Sequence, residues 1–196
     1  MPKIVDHDKQ RVLVAEAAWR VIRRDGMEQA SVRNIAEEAG ISVGSMRHYF
    51  STQSELLLYA MNLVSERVTS RIQGMTFNGS PMDDMNRLLL EFMPNTDEKM
   101  AEMEVWYAFT AKSKTDPALK KLADTVYNDI RRAVEIVITS LMQLNLFKPD
   151  LNQELEIERL YALVDGLAIH AVLRPDQVHA KLMEEAIALH LASLCI

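Results

Sequence analysis

Residues 31–50 read SVRNIAEEAGISVGSMRHYF, and this stretch predicts two short amphipathic helices on either side of a glycine turn. Ser31 supplies a side-chain oxygen that can cap the first helix. Apolar side chains then recur at helical spacing on one face, at Val32, Ile35, Ala36 and Ala39. Gly40 follows at a point where helices commonly end in a left-handed conformation, so we expect the chain to turn there.

The second helix of this stretch has a buried side and an open side. Ile41 is an apolar anchor, Ser42 can cap the helix, and Met46 and Phe50 lie four residues apart on one face. The open side is rich in hydrogen-bond donors and carries Val43, Gly44, Ser45, Arg47, His48 and Tyr49. Donors on a helix can read base edges in the major groove, which indicates a DNA-binding helix-turn-helix. An ordinary helical hairpin inside a larger bundle has the same apolar pattern.

The composition indicates a globular protein rather than a secreted or membrane protein. A chain of 196 residues that is 48% hydrophobic can bury a full core, as one large domain or two small ones. Its single cysteine, Cys195, excludes a disulfide within the chain and fits a reducing cytosol. We see no signal-peptide pattern and no run near the roughly 20 apolar residues that cross a bilayer. We therefore expect a soluble, cytoplasmic protein with no membrane partner.

The net charge of −6 is unevenly distributed along the chain. Residues 1–50 carry a balance of +1, and the remainder carries −7. Because non-specific DNA affinity comes from phosphate neutralisation, a balance of +1 is weak for a single DNA-binding domain. Two copies held together would compensate.

Helical periodicity continues along the rest of the chain, and no segment alternates like a strand. A helix is predicted from residue 8 to 25, and Thr52 and Glu55 have the capping-box spacing that opens a long helix to Gln73. The stretch 74–81, GMTFNGSP, is the clearest break. Further helices are predicted near 82–93, 98–114, 117–145, 152–173 and 176–194. The expected fold class is all-α with about nine helices.

Residues 30–57, ASVRNIAEEAGISVGSMRHYFSTQSELL, resemble the helix-turn-helix and the start of the fourth helix of the TetR family of bacterial transcriptional regulators. Residues 164–167 (VDGL) and 173–175 (LRP) resemble a BetI-type C-terminal domain. The resemblance implies a three-helix DNA-binding domain at 1–51 and a helical domain at 52–196 that dimerises and binds an effector. The implied function is a repressor released from an inverted-repeat operator in double-stranded DNA by a small-molecule effector of unknown identity. Activation is the alternative.

The family's DNA contacts carry over to matching positions. Ser42, Gly44, Ser45 and Arg47 match positions that face the major groove, and the phosphate-holding and helix-start positions are matched by His48, Tyr49, Ser31 and Thr52. Arg47 stands where the family usually has tyrosine, and arginine suits bidentate recognition of guanine.

Two lysines that are frequent in the family are missing from this chain. Gln53 and Val43 stand in their places, and both replacements weaken phosphate attraction. Val43 can instead touch a thymine methyl group or simply pack.

The two final predicted helices carry broad apolar faces. In the family these helices pair with their mates across a two-fold axis, which implies a homodimer whose interface contains Leu160, Leu163, Val164, Leu167, Ala171, Leu182, Ala186 and Leu189. Burial inside a monomer core is the alternative explanation for the same pattern.

The chain has 12 methionines, a pliable side chain that suits an adaptable cavity for apolar or cationic ligands. The effector-binding candidates are Met103, Trp106, Phe109 and Tyr127, with His170 as a polar partner. A packed core explains the same residues equally simply.

Catalysis is not expected. The sequence has no glycine-rich phosphate loop, no nucleophile elbow and no zinc-type His/Cys spacing. His179 and His190 are separated by roughly 16 Å along a helix, too far to share a metal. We expect no enzyme, cofactor or metal site. The remaining alternative function is a helical adaptor that binds only protein, but this function does not explain the donor-rich open side of the second helix.

Overall fold

Nine α-helices and no β-strand make up the residues that the computed structural model describes, 7–196. This confirms the all-α prediction. The helices are α1 (His7–Asp25), α2 (Val32–Glu38), α3 (Val43–Tyr49), α4 (Gln53–Gln73), α5 (Pro81–Leu89), α6 (Asp97–Ser113), α7 (Pro117–Gln143), α8 (Gln153–Leu173) and α9 (Ala180–Leu194). Short 3-10 helices occupy Met27–Gln29 and Leu90–Phe92. Within the described range no helix is both long and apolar enough to cross a bilayer.

Local capping explains where the first helices begin. The side-chain oxygen of Ser31 accepts a hydrogen bond from the Asn34 N–H at 3.2 Å, and that of Ser42 accepts from the Ser45 N–H at 3.0 Å. Thr52 caps α4 in the same way. These three caps were predicted from the sequence, since a hydroxyl three residues before a free N–H is a local signal.

The last helix begins four residues later than predicted, at Ala180 instead of residue 176. Residues 174–178 form a turn instead, in which the Val178 N–H donates to the Arg174 carbonyl at 2.9 Å. His179 then caps α9, because its Nδ1 accepts a hydrogen bond from the Leu182 N–H at 3.2 Å. Histidine is not among the preferred capping residues, so no strong capping signal marks this start in the sequence.

The chain forms two compact units. The described part of the first unit is residues 7–67 together with Glu104–Asp124, and the second unit is Val68–Met103 together with Thr125–Ile196. Helices α4, α6 and α7 therefore contribute residues to both. The domain boundary at 51/52 stays a prediction, and residues 1–6 of the predicted N-terminal domain lie outside the described residues.

The core of the first unit is built on one face each of α1, α2, α3 and the first unit's part of α4. Trp19, Ile35, Met46 and Leu56 are buried together, and the Trp19 indole N–H donates to the Ala60 carbonyl at 3.0 Å. This hydrogen bond satisfies the one polar atom of the indole inside an apolar cluster.

The core of the second unit is formed by α5, α7, α8 and α9. Its buried side chains include Leu89, Ile138, Leu160 and Met183. The two units thus have separate apolar cores, each of which holds its own helices.

The turn between α2 and α3 is closed by backbone hydrogen bonds at a glycine. Gly40 has a φ of +67°. Its N–H donates to the Glu37 carbonyl at 3.1 Å, and the Ile41 N–H donates to the Ala36 carbonyl at 3.0 Å. These two bonds define a Schellman ending, which uses a left-handed residue to satisfy the free carbonyls of a helix.

Replacing Gly40 with alanine should therefore destabilise the protein by about 1–2 kcal/mol, the cost of a left-handed L-residue. An added Cβ would meet no atom within 4 Å, so the cost is conformational rather than steric. The matched control is Gly44→Ala inside α3, which should be neutral or stabilise by up to about 1 kcal/mol through helix propensity. Urea unfolding measures both; equal stability of the two variants would contradict the role of the positive φ.

Candidate nucleic-acid interface

Helix α3 presents a set of side chains to solvent while its other side is fixed in the core. Met46 and Phe50 are buried against the first unit's core. Val43, Gly44, Arg47 and His48 are exposed, and Ser45 and Tyr49 are half-buried. The structure thus brings together the residues predicted for base and phosphate contact, and their accessibility is what a recognition helix requires.

Arg47 is the strongest base-contact candidate on α3. It is exposed, and among residues 7–196 its guanidinium has no ion-pair partner. A free guanidinium offers five donors in a planar fork, which fits the two acceptors on the major-groove edge of guanine.

The end of α3 is held by the start of α1. The rings of His7 and Tyr49 lie 5.1 Å apart at an angle of 50°, and the His7 Nε2 is 3.4 Å from the His48 carbonyl oxygen. These contacts limit the movement of His48 and Tyr49, the two predicted phosphate contacts.

The Glu55 carboxylate, in the first turn of α4, makes hydrogen bonds that the capping-box prediction covered only in part. Thr52 accepts from the Glu55 N–H at 3.0 Å, as the capping box predicts. The Glu55 carboxylate, however, accepts from the Ser51 hydroxyl at 2.7 Å and the Ser51 N–H at 2.9 Å. The hydroxyl bond first, then the N–H bond and the nearby Arg11 charge, lower the pKa of Glu55. An ionised Glu55 therefore opposes close phosphate approach beside Thr52.

Gln53 has a role that its sequence position did not reveal. Its side-chain amide donates to the carbonyl of Ala30 at 2.7 Å, which ties the start of α4 to the residue before the Ser31 cap. Because the partner is a backbone carbonyl 23 residues away, no local pattern signals it.

Most arginines of the N-terminal 50 residues are neutralised inside the first unit. Arg20 and Arg24 both bind the Glu38 carboxylate, at 2.7 and 2.8 Å, and this pairing lowers the pKa of Glu38. Arg23 pairs with Glu104.

Arg11 is held in a different way, between two aromatic rings. Its guanidinium lies 4.7 Å from the Phe50 ring centroid and 4.5 Å from that of Tyr59. Two arginines of this region, Arg33 and Arg47, are exposed and without an ion-pair partner in the described part of the chain. Arg33, on α2, is a candidate phosphate contact that the sequence prediction omitted.

The predicted dimer residues fall into two groups. Leu160, Val164 and Ala171 are buried in the second unit's own core. Since they have almost no surface left to lose to a second copy, this burial favours the monomer-core explanation for them, and their place in a dimer interface stays a prediction. The remaining residues keep exposed surface, up to 40% for Leu182 and 73% for Leu189; the others are Leu163, Leu167 and Ala186.

Polar side chains accompany this apolar face of α8 and α9. The Glu156 carboxylate is buried and accepts from the Arg159 guanidinium at 2.7 Å. Burial, followed by the Arg159 charge, lowers the pKa of His190 against the opposing effect of Glu156. His190 is therefore held in its neutral form by its surroundings.

The effector candidates are divided between the units. Phe109 is completely buried in the first unit's core, where the Trp106 ring stacks on it at a centroid distance of 5.6 Å. Met103 packs against the second unit's core, and Tyr127 and His170 are exposed on that unit.

A tyrosine pair on α7 and α8 was missed from the sequence. The exposed ring of Tyr127 meets the buried ring of Tyr161 edge-on, with centroids 5.1 Å apart and an interplanar angle of 84°. Burial first, then the charge of Asp165, raises the pKa of Tyr161, and Tyr127 and Glu158 add to the shift. The Tyr161 hydroxyl therefore lies in the field of the Asp165 and Glu158 carboxylates.

A cleft of about 350 Å³ lies on the same unit and is lined by Arg131, Asn152, Glu154, Leu155 and Glu158. The described residues contain no group of three or more side chains that could hold a metal ion.

The capped helices α2 and α3, the left-handed turn between them and the exposed donors of α3 together define a helix-turn-helix protein of the DNA-binding transcriptional regulator class. The comparisons agree with this class. A model of bacterial regulatory proteins of the tetR family matches residues 14–60, and a model of the BetI-type transcriptional repressor C-terminal domain matches residues 81–196. The chain belongs to the TetR family of transcriptional regulators and is not an enzyme.

Individual relatives match the chain over 92–100% of its length. The HTH-type transcriptional regulator PksA of Bacillus subtilis is 46% identical, over 100% of this chain and 95% of the relative. A crystal structure of a transcriptional regulator from Rhodococcus has a TM-score of 0.81 at 26% identity, covering 94% and 95% of the two chains. A regulator from Saccharomonospora viridis, crystallised in complex with choline, has a TM-score of 0.78 at 22% identity, covering 92% and 94%.

Proposed function

We propose that this regulator is a repressor that binds an inverted-repeat operator as a homodimer and leaves it when a small molecule binds. The observation that carries the DNA-binding part is the free, exposed guanidinium of Arg47 on a recognition helix whose other side is fixed in the core. TetR-family regulators bind operator DNA, and the base contacts predicted for Val43, Gly44, Ser45 and Arg47 lie on α3, the helix that enters the major groove in helix-turn-helix proteins.

Side-chain chemistry decides which residues contact bases and which contact phosphates. Arg47 donates to a guanine, while Val43, Gly44 and Ser45 lie against neighbouring base edges, and Ser42 caps the helix beside them. The phosphate contacts come from His48, Tyr49 and Ser31, and from Thr52 against the repulsion of the nearby Glu55 carboxylate. The side chain of Gln53 already donates to Ala30, so its contribution to the DNA is to hold the start of α4 in place.

Replacing Arg47 with alanine should weaken binding to the preferred operator by about 1–3 kcal/mol and relax the choice of base at one position per half-site. The operator is selected with wild-type protein from a random DNA pool, and affinities are measured by fluorescence anisotropy. Arg47→Lys should keep part of the affinity but lose the guanine preference, because lysine lacks the planar fork.

The matched control is Arg132→Ala, which removes an exposed arginine from α7. An Arg47→Ala protein with wild-type affinity and base preference would refute the guanine contact.

The homodimer is supported by the exposed apolar side chains of α8 and α9. Leu163, Leu167, Leu182, Ala186 and Leu189 keep surface that a second copy could cover. Because the N-terminal region has a charge balance of only +1, a dimer should bind DNA more tightly than one copy, since each copy adds its own phosphate contacts. Two-fold symmetry of the protein then matches an inverted-repeat operator.

Replacing Leu189 with glutamate should raise the dimer dissociation constant by at least about a hundredfold, because an unpaired charge buried in an apolar contact costs about 3 kcal/mol or more. Analytical ultracentrifugation measures the change. Leu144→Glu is the control, since Leu144 is an exposed leucine beyond the end of α7. The proposed face is wrong if both variants sediment as the wild type does.

We further propose that the effector binds the second unit and is an organic cation. Support comes from the paired rings of Tyr127 and Tyr161 and from the carboxylates of Asp165 and Glu158, whose charges act on the Tyr161 hydroxyl, since aromatic faces and negative charge attract a cation. The Saccharomonospora regulator crystallised with choline makes choline the first probe. Met103 and His170 remain candidates on this unit; Trp106 and Phe109 pack in the first unit's core.

Saturating choline should raise the thermal unfolding midpoint and lower operator affinity. A ligand at 100 times its dissociation constant adds about 2.7 kcal/mol to the stability of the form that it binds. Tyr127→Ala should lose both effects, while Phe77→Ala, which removes an exposed aromatic elsewhere on the unit, should keep them. The absence of any shift in the wild type, or an equal shift in Tyr127→Ala, would contradict the cation site.

A further inference from the structure

Charged side chains of both signs line the cleft of about 350 Å³ on the second unit. Arg131, on α7, contributes a guanidinium, and Glu154 and Glu158, on α8, contribute carboxylates. Among residues 7–196, none of these three forms an ion pair or a hydrogen bond with another side chain. The cleft therefore presents positive and negative charge, and neither is neutralised within it.

This cleft lies next to the tyrosine pair of α7 and α8. Glu158 belongs to both features, since it lines the cleft and its charge also raises the pKa of Tyr161. Arg131 lies four residues after Tyr127, so the two side chains share one face of α7, roughly 6 Å apart along the helix axis. Because the Tyr127 and Tyr161 rings meet across the two helices, the rings and the guanidinium occupy successive turns along the α7–α8 contact.

The charges of the lining discriminate against simple ions. A ligand that carries only negative charge is opposed by two carboxylates against one guanidinium. A ligand that carries only positive charge leaves the half-buried Arg131 facing a like charge. A zwitterion avoids both penalties, because each of its charges can lie beside an opposite charge of the protein.

The size of the cleft and the chemistry of its arginine fit a small carboxylate-bearing molecule. Its volume falls in the range of small-molecule sites, roughly 300–1,000 Å³. A guanidinium can donate two parallel hydrogen bonds to one carboxylate, which fixes the orientation of the bound group. A trimethylammonium group and a carboxylate joined by three methylene groups lie about 5 Å apart, close to one turn of α7.

We propose that the cleft completes the effector site and that the effector is a short zwitterion. Its cationic end lies against the Tyr127 and Tyr161 rings, and its carboxylate is bound by Arg131. This inference rests on the proposed cation site and adds the second charged group of the ligand. Arg131 is then the residue that distinguishes a zwitterion from a simple cation such as choline.

The test uses three probes that differ in one charge each: (3-carboxypropyl)trimethylammonium, its methyl ester, and 5,5-dimethylhexanoate. The first is the zwitterion, the ester lacks the negative charge, and the third has carbon in place of the charged nitrogen. Isothermal titration calorimetry on the full chain should show the zwitterion binding about tenfold or more tightly than either of the others, since hydrogen bonds to charged groups are among the stronger ones.

Arg131→Gln should remove the preference for the zwitterion over the ester, and its affinity for the ester should stay within about threefold of the wild type or improve, because a like charge has been removed. Arg132→Gln is the matched control, since it changes the neighbouring exposed arginine of α7, which does not line the cleft, and it should keep the full preference. Urea unfolding establishes that each variant is folded. If Arg131→Gln does not fold, Arg131→Met takes its place.

The outcomes separate this inference from the proposed function on which it rests. Wild-type protein that binds the ester as tightly as the zwitterion overturns the zwitterion and leaves the cation site standing. A preference that survives in folded Arg131→Gln overturns the role of Arg131. Wild-type protein that binds neither probe, or that binds 5,5-dimethylhexanoate as tightly as the zwitterion, overturns the cation site and this inference together.

Discussion

The helix-turn-helix depends on the way in which α2 ends at Gly40. A positive φ there lets two consecutive N–H groups return to α2 carbonyls, and Ile41 then comes back to the core immediately before the Ser42 cap. Helix α3 has seven residues, too few to be stable through its own backbone bonds, so the burial of Met46 and Phe50 holds it in place. The positions of the side chains that α3 exposes to solvent therefore depend on the turn at Gly40.

The parts of the fold that depend on local signals could be predicted from the sequence. The caps Ser31, Ser42 and Thr52, the glycine turn and the helical periodicity each act over a few residues, and the structure has them where they were expected. Apolar periodicity, in contrast, shows that a face is covered without showing by what. Leu160 has the same spacing as Leu163, yet one lies in the chain's own core and the other keeps surface.

Polar contacts between distant segments could not be predicted. The bond from Gln53 to Ala30 and the pairing of Arg71 with Glu102 join residues 23 and 31 positions apart. The partner of each is set by how the helices pack, and carboxylates on several other helices could pair with an arginine. Sequence reasoning therefore found the exposed donors of α3 but not the contacts that hold the neighbouring helices in position.

The internal neutralisation of the N-terminal arginines has a consequence for how the protein finds its site in a genome. With Arg11, Arg20, Arg23 and Arg24 engaged by carboxylates or aromatic rings, Arg33 and Arg47 are the arginines left to attract phosphates among the described residues 7–50. Non-specific binding to the genome competes with operator binding, because a genome offers about 10⁶ or more non-specific sites for each operator. A regulator that is weakly held by those sites spends more of its time free, so a small number of copies can keep an operator occupied.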